Sequence, residues 1–181
     1  MYRKAAILLA IVLLAFTAAC SSSHSSSVSA VRAGGTAAGN SATSCPTSST
    51  KSFAKTRFVA DAALAGGAFK RYIYTPASEG KFSKGAHRRV LALAKAAAAG
   101  AFVINRLDAA KNAAQADPTL CKLIVAPLAS LKASVTGLIT KSRSGNLTSS
   151  DVASTSNQLE GFRNAATTGG AGFKDNTNVS V

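Results

Sequence analysis

Three kinds of side chain in this sequence could do chemistry: cysteines at 20, 45 and 121, histidines at 24 and 87, and the carboxylates Asp61, Glu79, Asp108, Asp117, Asp151, Glu160 and Asp175. A metal centre, or a triad built on histidine, needs several such groups to converge. His24 sits in a Ser- and Ala-rich stretch and His87 stands alone, so one chain supplies neither arrangement. The carboxylates are scattered, and Asp117 and Asp151 already have helix-capping roles, the first as an N-cap and the second in a capping box. Neither a phosphate-cradling loop nor a dinucleotide fingerprint is present, because Gly66-Gly67 falls inside a helical pattern rather than after a strand. The expectation is a protein that is not an enzyme and uses no cofactor and no metal.

Charge points instead to binding. The chain carries 21 Lys+Arg against 7 Asp+Glu, a formal +14, and such a surface favours anionic surroundings. Two clusters, Lys70-Arg71-Tyr72-Ile73-Tyr74 and His87-Arg88-Arg89, flank one turn. Basic groups interleaved with tyrosine suit phosphate contact and stacking, which makes Lys70, Arg71, Arg88 and Arg89 a candidate anion patch. The competing reading puts Ile73 and one tyrosine in the core and leaves the charges as a solvated surface. Candidate partners are phospholipid headgroups, anionic envelope polymers or an unknown protein; nucleic acid is less available outside a cell.

The compartment follows from the first nineteen residues. Arg3 and Lys4 precede an apolar run from Ala5 to Phe16, then the small residues Thr17, Ala18 and Ala19, the layout of a secretory signal. Twelve residues at about 1.5 Å each reach roughly 18 Å, short of the ~30 Å hydrocarbon core, so a permanent span is the weaker reading. Small residues followed at once by Cys20 resemble the lipobox of bacterial lipoproteins, which implies cleavage before Cys20 and a diacylglycerol on its sulfur. Thr17 stands where that family usually has leucine, and cleavage by the ordinary signal peptidase is the alternative. The resemblance therefore implies a lipid-anchored protein on the outer face of the bacterial membrane, or a secreted one if Cys20 is not acylated. The helical remainder is similar to small secreted proteins of actinobacteria, a likeness that implies no activity. Loss of the leader leaves 19 basic and 7 acidic residues, a formal +12.

Residues 20–51 are dominated by Ser, Ala, Gly and Thr without apolar periodicity, the composition of a flexible tether. About 25 such residues span roughly 25 to 30 Å as a coil. Residues 52–170 are expected to be helical, because their apolar residues recur at three and four. The first stripe is Phe58, Ala62, Ala65, Phe69 and Ile73, closed by Thr75-Pro76, with Gly66-Gly67 marking a closely packed neighbouring helix or, equally, a local kink. The second begins near Ser83 and carries Val90, Leu93, Ala97, Ile104 and Leu107; Lys95 within it favours a bundle helix over a membrane span. Asp117-Pro118 opens the third, with Leu120, Ile124, Leu128, Leu131, Val135 and Leu138 inward and Pro127 expected to kink or break it. Thr148 and Asp151 form a capping box, stapled by Leu147 and Val152, for a fourth helix carrying Leu159, Phe162 and Ala166 and stopped at Gly169-Gly170. Residues 171–181 show no pattern and are expected to be a disordered tail.

Four amphipathic segments with short connections and no period-two alternation predict an all-α fold, a four-helix up-down-up-down bundle. In that topology Cys45 and Cys121 lie at one end, and an exported chain would join them in a disulfide. The small residues Ala62, Ala65, Ala97 and Gly100 leave a further alternative, a groove for a small apolar ligand or lipid. The function expected is a non-enzymatic helical binding or structural module, lipoprotein-like, outside the cytoplasmic membrane.

Overall fold

The computed structural model describes residues 44–181, so the expected leader, Cys20 and most of the expected tether lie outside the described residues. Every regular element among them is helical: α1 (Ala54–Phe69), a π-helical turn (Lys70–Tyr74), α2 (Thr75–Ser78), α3 (Arg89–Ala114), α4 (Pro118–Arg143) and α5 (Ser149–Thr168). Because α1, the π turn and α2 follow without a break, they make one long rod beside three others. The all-helical class expected from the periodicity is the one found.

Helix α1 packs on α3, α3 on α4 and α4 on α5, and polar contacts fix which ends meet. The Thr50 N–H donates to the Ala116 carbonyl at 2.9 Å, bringing the approach to α1 against the α3–α4 junction. At the other end the Ser149 hydroxyl donates to the Ala77 carbonyl at 3.3 Å, setting the start of α5 beside α2. Cys45 and Cys121 are joined in a disulfide, with Cα atoms 5.6 Å apart. Residues 44–51, assigned to the tether by composition, thus belong to the bundle, because the disulfide and the Thr50 bond hold them against it.

Three of the four expected stripes are buried in full: Phe58 to Ile73 on the first rod, Leu120 to Leu138 on α4 and Val152 to Ala166 on α5. The α3 seam differs. Val90 is 81 % exposed, and the buried side runs through Leu93, Ala96, Ala99, Gly100, Val103, Leu107 and Ala110. Alanine surrounds this helix, so hydrophobic contrast does not fix its rotation; packing does.

Local chemistry accounts for the other departures. Thr75-Pro76 does not close the first rod: Thr75 is helical (φ −60°, ψ −48°), and its N–H reaches back to the Lys70 carbonyl in the π pattern. A proline ring collides with the carbonyl four residues before it in an α-helix, and a wider π turn just upstream gives it room. α3 starts at Arg89 rather than near Ser83, because Gly80 (φ 70°) and Gly85 (φ 83°) carry successive tight turns through Ser83 and Ala86. α4 runs unbroken through Pro127; the burial of Ile124, Leu128 and Leu131 on either side offsets the ~3 kcal/mol an interior proline costs.

The largest departure is the C-terminus. Residues 171–181, expected as a tail, lie as an extended strap along α1: the Asn176 N–H donates to the Ala63 carbonyl at 2.9 Å, and Phe173 and Val179 are buried. Phe173 completes an aromatic cluster with Phe162 (centroids 5.5 Å apart) and Phe58 (6.4 Å). Asp175 pairs with Arg163 at 2.6 Å, and the Arg163 guanidinium lies over the Phe173 ring. Gly66 and Gly67 exist for this strap. A methyl group at Gly67 would fall 1.7 Å from the Asn176 carbonyl oxygen, and one at Gly66 would fall 2.2 Å from Asp175 Oδ1.

Both expected caps are in place. Asp117 Oδ1 accepts from the N–H groups of Thr119 and Leu120, each at 3.0 Å. Thr148 Oγ1 accepts from the Asp151 N–H (3.2 Å) while Asp151 Oδ2 accepts from the Thr148 N–H (3.1 Å). Hydrogen bonds from Lys141 and from the Thr148 hydroxyl hold the Asp151 carboxyl below its ordinary value of 3.8. A depressed folded-state value adds stability that is complete above the unfolded pKa and is lost as pH falls through the folded one. Asp151→Asn keeps the acceptor and removes the charge. Urea unfolding of the two proteins should therefore differ at neutral pH and converge between about pH 5 and pH 2.

Candidate anion-binding face

The basic clusters meet at the end of the bundle formed by the π turn, α2 and the α2–α3 connection, but they do not form the single patch expected. Arg89 turns inward: its Nε donates to the Phe82 carbonyl at 2.8 Å and its Nη2 to the Gly145 carbonyl, bracing the connection against the end of α4. It is a structural residue. Lys70 is exposed on another side, beside a hollow of about 210 Å³ that also holds Glu160, Arg163 and Asp175, where acids balance the bases. Arg71 and Arg88 alone of the four share a site.

That site is a shallow hollow of about 390 Å³. Its cations are Arg71, Lys81, Arg88 and Lys95, with His87 beside them, and its apolar wall is Tyr72, Pro76, Leu91 and Ala92. Arg71 is partly committed, since its Nη1 donates to the carbonyls of Thr177 (3.0 Å) and Val179 (3.3 Å) and its guanidinium lies 5.3 Å from the Tyr72 ring centroid. The Tyr72 hydroxyl donates to the same Val179 carbonyl at 3.0 Å. Carbonyl partners fix the guanidinium without neutralising it. Lys81 is paired with Glu79 at 2.5 Å, both about half exposed; exposed pairs of this kind contribute little and are screened by salt. Arg88 is exposed, and its side chain makes no polar contact among the described residues.

Sequence reasoning missed Lys81, Lys95 and Leu91 here. A signal for two of them was present, because Arg88, Leu91, Ala92 and Lys95 follow the i, i+3, i+4, i+7 spacing of one helix face. Three of the four small residues considered for an apolar groove are met by neighbours instead: Ala62 and Ala65 are fully buried, and a methyl at Gly100 would fall 2.5 Å from Ile139 Cγ1, while Ala97 is half-buried. Among the described residues no group of three or more His, Cys, Asp or Glu side chains comes together to hold a metal ion. α3 and α4 are long and apolar enough to cross a membrane, a test that the core helices of a packed bundle also meet. No protein-family model matches the chain, and neither a curated protein nor a solved structure matches it.

Proposed function

We propose that the chain is a non-enzymatic binding or structural module of the cell envelope, displayed outside the cytoplasmic membrane on an acylated Cys20. The observation that carries this reading is the pairing of Cys45 with Cys121 at the base of the bundle, because such bonds persist in oxidising compartments and not in the cytosol. It leaves one cysteine outside the pair, and that one follows directly on the basic, apolar and small-residue leader. A helical body closed by the disulfide, on a Ser- and Ala-rich tether, suits a surface-displayed binder.

Metabolic labelling with a fatty acid, run on the native chain and on Cys20→Ala, tests the anchor. The native chain takes up label and partitions to membranes, while Cys20→Ala takes up none; cross-linking in intact cells then recovers the partner. An unlabelled native protein in the medium, cut before Cys20, would make the module a secreted one. An unlabelled protein in the cytosol with Cys45 and Cys121 reduced would end the reading.

A further inference from the structure

We infer that the hollow between the π turn and the start of α3 docks the domain on anionic phospholipid headgroups, so that the folded body itself touches the membrane surface. The inference rests on the envelope reading for the presence of a membrane, and on three independent features for the site. The first is charge: Arg71, Lys81, Arg88 and Lys95 converge there, and among the described residues Glu79 is the one carboxylate paired with any of them. Each such cation near an anionic bilayer strengthens binding.

The second feature is Arg88 itself. Its backbone is left-handed, with φ 57° and ψ 26°, in a position where glycine is the unstrained choice. A strained non-glycine residue whose side chain makes no polar contact within the fold has its use outside it. The third feature is apolar. Leu91, 50 % exposed, lines the hollow with these cations, and Val90, the residue before it in the first turn of α3, is 81 % exposed. A soluble polyanion is held by charge and gains nothing from Val90, whereas a bilayer interface takes up both the cations and the side chains that enter between headgroups. The combination favours lipid over a wall polymer.

Co-sedimentation of the full chain, carrying Cys20→Ala throughout, with phosphatidylcholine vesicles and with vesicles containing about a third phosphatidylglycerol tests this. Any affinity of the leader for bilayers, including that of Arg3 and Lys4 for anionic ones, is common to the parent and its variants and cancels when these are compared on the same vesicles. The expected preference for anionic vesicles weakens about fivefold per lost cation, so Arg88→Gly with Lys95→Ala loses about twenty-five-fold. The melting temperature of that variant does not fall, since glycine relieves the backbone at 88. Val90→Ser with Leu91→Ser also weakens binding, and Lys51→Ala with Arg57→Ala, at the opposite end of α1, leaves it within about twofold.

Unchanged binding by the Arg88 and Lys95 variant overturns the inference. An equal loss from the Lys51 and Arg57 variant does so too, by showing that net charge alone acts. Binding that ignores the Val90 and Leu91 changes and is displaced by soluble polyphosphate assigns the hollow to a soluble polyanion instead. None of these results depends on acylation of Cys20, so failure here and failure of the anchor are read separately.

Discussion

Replacing Gly67 with alanine detaches the C-terminal strap and destabilises the domain by about 3 kcal/mol. The added methyl meets the backbone of Asn176, with the carbonyl oxygen at 1.7 Å and its carbon at 2.2 Å. A backbone cannot rotate aside as a side-chain tip can, so the segment must lift. Lifting exposes Phe173 and Val179, whose burial contributes roughly 1.5 to 3 kcal/mol apiece as an upper bound. It also separates Arg163 from Asp175 and frees Arg71 and Tyr72 from their carbonyl partners. Limited proteolysis should then cut within 171–181 while residues 44–170 resist, and urea unfolding should shift to lower concentration. Gly137→Ala is the control: nothing lies within 4 Å of its added methyl, and the helix gains up to about 1 kcal/mol of propensity. Equal stability of the Gly67 and Gly137 variants would show that the strap does not pack over α1.

Opening the disulfide has the other large effect. Cys45 and Cys121 are separated by 76 residues, and in the chain-entropy model a loop of that size restricts the unfolded chain by about 4 kcal/mol. Measured losses for native bridges run from about 2 to 5 kcal/mol, a large share of the stability of a domain this size. Cys45→Ser with Cys121→Ser should therefore unfold at lower urea by an amount in that range. Reductant should destabilise the native protein and leave the double variant unchanged. The variant should open first at the approach to α1, where the Thr50 N–H meets the Ala116 carbonyl and the Ser49 hydroxyl meets Asp117 Oδ2 at 3.4 Å.

What the sequence made legible, and what it hid, follows from the range of the forces involved. Stripes with contrast, such as Leu120 to Leu138 among lysines and serines, declare a buried face because one helix repeat is enough to read them. The caps at Asp117 and Thr148 are legible for the same reason, since each is closed within three residues. The α3 seam was read only in part: Leu93 and Leu107 are buried as expected, Ala97 and Ile104 are half-buried and Val90 is exposed, because alanine is on every side of the helix and contact with α1 and α4 sets its rotation. Arg89 looked like its neighbour Arg88, yet its partners at Phe82 and Gly145 are carbonyls of two loops that only the fold brings together.

The strap was hidden most completely. Phe173 and Val179 are two apolar residues in a polar run with no helical or alternating period, and the groove that receives them is made by Gly66 and Gly67, more than a hundred positions earlier. The glycine pair was read as a seat for a neighbouring helix or as a kink; what approaches it is extended chain.

The intact mass of the protein recovered from its own cells tests the central claim most directly. An anchored, stapled module gives a chain that starts at Cys20, carries a diacylglycerol there, and is lighter by the two hydrogens lost when Cys45 and Cys121 join. A mass equal to the unmodified sequence from Met1, with all three thiols open to alkylation, would contradict it.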